Sequence, residues 1–289
     1  MKADELKLVI FGAGLIGGSF SLALKNAGAV RETIGFGRSR NTLIEAEKLG
    51  ILDRIGNDIA LEMQDADLVL LATPVGQMGR IMAQIAPHLS KNTLVTDGGS
   101  TKGDVVRIAR STLGNGIAQF VPAHPIAGGE KSGPLAARAD LFEGKKVVLT
   151  PLPQNSRSAI NRLKAIWELC GAKVSEMTPD EHDEVFAAVS HLPHLLSFAL
   201  VHDIASRENR DLLLSHAASG FRDFTRIAAS SPEMWRDICI SNRAALLHEL
   251  ERYMKELETL QAALSGNDFE KLEEIFSEAR NIRSGWEPE

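Results

Sequence analysis

This chain is short of positive charge. Its 289 residues carry 32 Lys and Arg against 38 Asp and Glu, a formal charge of −6 at pH 7. That excludes a general nucleic-acid binder, which needs a basic footprint, although a local basic pocket for an anionic substrate remains allowed. Cysteine is scarce as well. Cys170 and Cys239 have neither metal-ligand nor redox-pair spacing, which points to a reduced, cytoplasmic setting. No apolar run approaches the roughly 20 residues of a membrane span. The early stretch Leu8 to Phe11 is too short for a signal-peptide core and leads straight into glycines. Low-complexity tracts, internal repeats and Pro/Ser-rich linkers are missing.

What is present suits about two domains at roughly 100–200 residues each. The first half alternates short apolar runs with amphipathic stretches. The runs are Leu6–Phe11, Thr33–Phe36, Leu68–Ala72, Thr93–Thr96, Gln119–Val121, Val147–Thr150 and Lys173–Glu176. Between them Ser19–Ala27, Asn41–Leu49, Gln77–Leu89 and Ser156–Cys170 read as helices. Such alternation predicts a mostly parallel sheet covered on both faces. From Asp180 onward only helices are expected. Asp180 is expected to cap a helix running toward Arg207, bent near Pro193. Ser231-Pro232-Glu233 opens another, expected to run to about Leu264. The predicted division is an α/β domain over 1–178 and an all-α domain over 179–289. In the second helix Leu246, Leu250, Tyr253, Leu257, Leu260 and Leu264 alternate four- and three-residue steps, a seam that favours a homodimer through the C-terminal helices.

Gly12-Ala13-Gly14-Leu15-Ile16-Gly17 follows the first strand and opens a helix. The first glycine makes the turn, the second admits a diphosphate to the backbone, and the third lets helix and strand pack closely. The helix N-terminus adds N–H donors and partial positive charge. This is a Rossmann-like dinucleotide site, with Gly12, Gly14, Leu15, Ile16 and Gly17 as contacts and Thr73-Pro74, after the Leu68–Ala72 strand, beside them. At the end of the second strand Gly37 stands where an NAD site usually has an acid, and Arg38, Ser39 and Arg40 follow. A guanidinium and a hydroxyl suit a 2′-phosphate, so NADP is favoured over NAD.

Two segments carry chemistry at strand ends, where open α/β sheets bind ligands. In His124-Pro125-Ile126-Ala127-Gly128-Gly129-Glu130-Lys131-Ser132-Gly133 the proline biases His124 toward extended backbone, and the glycines permit a tight turn. His124 is expected at the end of an extended segment, presented as a base. In Asp97-Gly98-Gly99-Ser100-Thr101-Lys102, Ser100 either orients His124 or the nicotinamide, or caps the next helix. In the helical half, Ser190-His191-Leu192-Pro193-His194 sets two histidines three residues apart, without an acid or thiol placed to complete a metal site. Gly220-Phe221-Arg222-Asp223-Phe224-Thr225-Arg226 offers Arg226 as a carboxylate grip. Trp235 reads as core.

Taken together, the glycine fingerprint and the D-G-G-S-T-K, H-P-I-A-G-G-E-K-S-G, S-H-L-P-H and G-F-R-D-F-T-R-I-A segments closely resemble the prephenate and arogenate dehydrogenases of tyrosine biosynthesis, from Lys7 to about Arg243. The resemblance implies oxidative decarboxylation of a cyclohexadiene that bears a ring carboxylate and an opposite hydroxyl. His124 would accept the hydroxyl proton while hydride passes to a nicotinamide. Ser100 would position His124 and the nicotinamide, and Arg226 would bind a substrate carboxylate. Ser190, His191, His194, Glu130 and Asp223 match further pocket positions. Gly37 departs from NAD-preferring members. Ser219 stands where some relatives have glycine, which leaves the choice between prephenate and arogenate open. No mutase-like or regulatory domain is seen, so a monofunctional enzyme is expected. A β-hydroxyacid dehydrogenase would place a catalytic lysine on the helix after Asp180, but that helix contains none before Arg207. A non-catalytic dinucleotide sensor would have no need of His124, Ser100 and Arg226 together.

Overall fold

A computed structural model describes residues 6–129 and 131–286. The first part builds a five-stranded parallel sheet from β1 (Leu6–Phe11), β2 (Val30–Phe36), β3 (Arg54–Ile55), β4 (Leu68–Leu71) and β5 (Leu94–Asp97), in the order β3-β2-β1-β4-β5. The helices α1 (Leu15–Asn26), α2 (Arg40–Lys48), α3 (Ile59–Met63), α4 (Val75–Ile85) and α5 (Gly103–Thr112) alternate with them. Residues of β1 alternate between two cores. Leu8 and Ile10 pack with Phe20, Phe142 and Trp167. Val9 and Phe11 pack with Val75, Met78 and Met82 on the other face. Burial on both faces explains why these strands read as unbroken apolar runs. β3 escapes the sequence reading because it is two half-buried residues long.

Beyond β5 the sheet is not simply continued. The run expected as a strand at Gln119–Val121 forms a 3₁₀ turn through Gln119, followed by a single parallel bridge from Phe120 to Val95. The strand proper is β6 (Ala123–Pro125), antiparallel to β7 (Lys146–Leu149), which pairs in parallel with β8 (Lys173–Glu176) after α6 (Arg157–Leu169). His124 therefore lies within a strand, paired with Val148, rather than at the end of one.

The helical part comprises α7 (Pro179–Phe186), α8 (Leu192–Ala205), α9 (Arg210–Ser215), α10 (Ser219–Thr225), α11 (Pro232–Ser241), α12 (Arg243–Ser265) and α13 (Phe269–Gly285). Its first helix is capped by Thr178, not Asp180. The Thr178 hydroxyl accepts from Glu181 N–H, the Glu181 carboxylate accepts from Thr178 N–H, and Pro179 takes the first helical position. Near Pro193, where a bend is expected, the helix carries a π turn over Ala187–His191 immediately before α8. A wider turn is one way to accommodate a proline that cannot donate to the helix ladder. Ser231 caps α11 as expected, by accepting from Met234 N–H at 3.4 Å. The long helix nevertheless breaks at Asn242, whose buried side chain donates to the Asp183 carbonyl at 2.7 Å.

Much of the helical part's apolar surface lacks cover within one chain. Of the seam, Leu246 is buried, whereas Leu257 and Leu264 are 46% and 65% exposed. Val185, Val189, Leu212, Leu214 and Phe224 are exposed too. The continuous helical stretch Pro179–Ala205 is long and apolar enough to cross a membrane by length and composition alone. Its polar residues, however, supply the histidine cluster described below.

Candidate active site

The glycine turn has the shape of a diphosphate cradle. Gly12 adopts φ +99°, and a Cβ there would lie 2.4 Å from the Ala72 carbonyl oxygen. A Cβ on Gly17 would lie 2.1 Å from the Gly12 carbonyl oxygen, so helix and strand close only with glycine. A Cβ on Gly14 would meet nothing within 4 Å, which leaves the approach to the α1 N-terminus open. No side chain caps that terminus, so its N–H groups face outward. Thr73 Oγ1 is buried beside Gly12 without a hydrogen-bond partner, and Pro74 precedes α4. This combination of strand–turn–helix geometry, free donors and an unmet hydroxyl fits a dinucleotide. At the β2 end, Ser39 caps α2 by accepting from Thr42 N–H at 3.3 Å. Arg38 is 69% exposed and faces Glu233 at 3.8 Å, and Arg40 is exposed at the start of α2.

His124 adjoins this cradle. A Cβ built on Gly98 would lie 3.1 Å from Ile16 Cγ2 and 3.8 Å from Pro125, and one on Gly129 would lie 3.6 Å from Leu15 Cδ2. The fingerprint helix, the Gly98–Thr101 turn and the His124 loop thus meet at the carboxyl ends of the strands, where the strand order reverses.

The partner of His124 is not Ser100. Its Nδ1 lies 2.8 Å from His182 Nε2, and His182 Nδ1 lies 2.8 Å from Asp183 Oδ1. Among the described residues no hydrogen bond joins Ser100 to His124. Asp183 also accepts from Lys102 N–H and Gly103 N–H, each at 2.8 Å. Burial pushes its carboxyl up, but the His182 hydrogen bond and then these two backbone donors outweigh it and hold the carboxyl below the ordinary range. An ionised carboxylate only accepts, which fixes the protons along the chain. His182 Nδ1–H donates to Asp183, His124 Nδ1–H donates to His182 Nε2, and the lone pair of His124 Nε2 is left to accept a proton. Burial, then the neighbouring His182 and Lys102, push the His124 pKa well below 6.5. Phe186 closes the ring pair, 4.8 Å from His124 and 4.5 Å from His182.

His191, the last residue of the π turn, and His194, in α8, form a second pair with different partners. His191 is buried. Its Nδ1 lies 3.1 Å from Asn242 Nδ2, the Ser100 backbone is beside it, and burial above all pushes its pKa down to about 4. His194 Nδ1–H donates to the Ser190 carbonyl at 2.8 Å, and its ring stacks on Trp235 with centroids 3.6 Å apart. Burial lowers its pKa, and the charge of Arg226 nearby lowers it further. Ser100, His124, His191, His194 and Arg226 thus lie around one region, joined through His182, Asp183 and Asn242. Asp223 is not drawn in, being 76% exposed on α10 beside Arg222. Glu130 lies outside the described residues.

His182, Asp183, Asn242 and Lys102 were not among the candidates from sequence. The signal for the first two was a His-Asp pair at the fourth and fifth positions of a helix, hidden in the acidic run Asp180-Glu181-His182-Asp183-Glu184. Ser100 does not cap α5, because the Asp183 carboxylate takes the N–H groups there.

Residues 20–176 match the nucleotide-binding domain, and residues 178–278 the dimerization domain, of the prephenate dehydrogenase family models. The chain is 37% identical over 280 residues to a prephenate dehydrogenase of Bacillus subtilis, covering 96% of this chain and 75% of that protein. It is also 37% identical over 279 residues to a cyclohexadienyl dehydrogenase of Zymomonas mobilis, covering 96% and 94%. Prephenate dehydrogenase of Aquifex aeolicus, solved with hydroxyphenyl propionate and NAD+, superposes with a TM-score of 0.92 at 36% identity over 98% of this chain and 99% of that one.

Proposed function

The chain belongs to the prephenate dehydrogenase family, and from that premise we propose that it oxidises and decarboxylates prephenate with His124 as the base. It is a nicotinamide-dependent oxidoreductase. The observation that supports the base assignment best is the Asp183–His182–His124 proton chain ending beside the fingerprint helix. When bound, the nicotinamide would supply the hydride acceptor, with the diphosphate of the dinucleotide held by Gly12, Gly14, Leu15, Ile16 and Gly17 and Thr73 beside it. His124 Nε2 takes the proton of the ring hydroxyl as that carbon becomes a carbonyl. The ring carboxylate leaves as carbon dioxide, its electron pair completes the aromatic ring as the carbonyl oxygen becomes a phenolate, and the His124 imidazolium returns its proton to that oxygen, giving 4-hydroxyphenylpyruvate. The imidazolium that forms is stabilised through His182 by the Asp183 carboxylate, the task an acid performs behind a catalytic histidine. Arg226 holds a substrate carboxylate, and Ser100, Ser190, His191 and His194 line the pocket, while Glu130 and Asp223 stay positions matched by the family resemblance alone. Appearance of reduced nicotinamide on mixing the protein with prephenate or arogenate and NADP or NAD tests the reading. No signal in any of the four mixtures overturns it. Signal with arogenate but not prephenate replaces the keto substrate by the amino one.

NADP is the favoured cofactor. No acid ends β2, and exposed Arg38 and Arg40 flank Ser39 there. Arg38→Ala is expected to raise KM for NADP about tenfold or more, the worth of one charge-assisted hydrogen bond, with little change for NAD. Equal changes contradict the 2′-phosphate role.

The dimerization domain supports a homodimer, which would cover the exposed apolar residues of the helical part. Light scattering is expected to give twice the 31.3 kDa of one chain. Leu257→Asp with Leu264→Asp should shift the protein toward monomer, and a monomeric parent protein contradicts the seam.

A further inference from the structure

Lys102 and Asp97 are each fully buried, and they pair with one another at the carboxyl end of β5. A buried ion pair is weak evidence for stability, since apolar residues of similar volume often serve as well or better. Its hydrogen bonds suggest another use. Asp97 Oδ1 accepts from Ala123 N–H at 3.1 Å, and Lys102 Nζ donates to the Ala123 carbonyl at 2.8 Å. The residue before His124 is therefore held by both of its backbone polar groups. Asp97 Oδ2 also accepts from Gly99 N–H at 2.9 Å, one residue before Ser100. At its other end, Lys102 donates its own N–H to Asp183 Oδ1, the oxygen that meets His182 Nδ1. A single residue thus touches both ends of the proton chain, the ammonium at the backbone that carries His124 and the amide at the acid that orients His182.

We propose that the buried Lys102–Asp97 pair is a positioning device for the reaction: it sets β6 and the α5 N-terminus in register so that His124 meets His182, and it keeps a positive charge behind His124. Neither residue touches substrate, and both act through His124. The inference rests on His124 being the base. The charges facing His124 from the packed elements are Lys102 on its α5 side and, from α7 and the π turn, His182 and His191, with Asp183 behind His182 and Asp97 paired to Lys102. The ammonium opposes protonation of His124, in agreement with the lowered pKa of that ring.

The test uses full-length protein. In Asp97→Asn/Lys102→Met both charges are removed together, so no unpaired buried charge is left to unfold the chain. If the pair positions His124, kcat falls about 100-fold, the cost of misplacing a reacting group by about 1 Å. KM for the cofactor changes little, and the acid limb of the kcat/KM profile moves to higher pH. A folded double variant with kcat and acid limb both unchanged overturns the proposal. If the variant does not fold, imidazole NMR of the unaltered protein decides. His124, assigned with His124→Asn, is expected as the Nδ1–H tautomer, still neutral at pH 6. An ordinary titration near 6.5 overturns the proposal. A parent protein that turns over neither prephenate nor arogenate defeats the functional reading instead, and leaves the NMR result to judge the pair.

Discussion

Replacing His124 with asparagine is expected to lower kcat about 1,000-fold, within the range of roughly 10²–10⁴ that a positioned general base supplies. Asparagine keeps a side-chain amide near His182 but has no group that can accept and carry the hydroxyl proton at neutral pH. Cofactor affinity should be nearly untouched, since the fingerprint turn closes on Ala72 and its own glycines rather than on His124. Substrate KM should change modestly, because Arg226 and the His191–His194 side of the pocket remain. Steady-state kinetics with a cofactor titration by fluorescence separates these quantities. Near-native turnover in His124→Asn removes the base assignment, and a matched loss of cofactor binding shows that the substitution disturbed the cradle instead.

The second large effect is expected at Asp183, where activity and stability share one carboxylate. It accepts from Lys102 N–H, Gly103 N–H and His182 Nδ1–H. Asp183→Ala leaves two backbone donors at the start of α5 without partners and frees His182 to change tautomer. The loss in stability should be on the order of 3 kcal/mol, with kcat down by at least about 100-fold, since an orienting acid behind a histidine is worth that much or more. Asp183→Asn should separate the two effects. An amide oxygen can still accept at the helix start, so stability falls less. An NH₂ turned toward His182 reverses the proton order along the chain, so the loss in kcat persists. The pH dependence follows from sign. The Asp183 carboxyl is held below its ordinary value in the fold. Its contribution is therefore complete above the unfolded pKa of about 3.9 and fades as pH falls through the lower folded value. The stability gap between the parent protein and Asp183→Asn should be full at neutral pH and should close as pH falls below the unfolded value of about 3.9 and through the lower folded one. A gap independent of pH means that the carboxylate charge is not what stabilises the fold.

The extent to which this could be read from sequence varied with how local each feature was. The glycine fingerprint, the six strands β1, β2, β4, β5, β7 and β8 and the cap at Ser231 depend on neighbours in the chain, and each stands where its residues imply. Features decided by distant partners did not. The start of α5 is satisfied by Asp183, about 80 residues further on, so the nearby Ser100 drew the capping role only on paper. Asn242 looks like one more helix residue until its amide is seen between the Asp183 carbonyl and His191. Lys102 would ordinarily read as a surface lysine, yet it is fully buried against Asp97. His182 sits in an acidic helix start of the kind that usually faces water. His124 itself was legible because proline and glycine fix its backbone locally. The partner that gives it a usable lone pair comes from the other domain, and no spacing in the sequence links the two.

The central claim is that the fold holds His124 as a neutral imidazole with Nε2 free to take a proton. The most direct measurement is the pH dependence of kcat/KM for the unaltered protein, which reports the free enzyme's essential base. Burial and the adjacent His182 and Lys102 lower the His124 pKa. The account therefore predicts an acid limb well below pH 6.5, with full activity at about pH 6.5 and a loss approaching tenfold per unit only beneath that limb. An acid limb at or above pH 6.5 contradicts it.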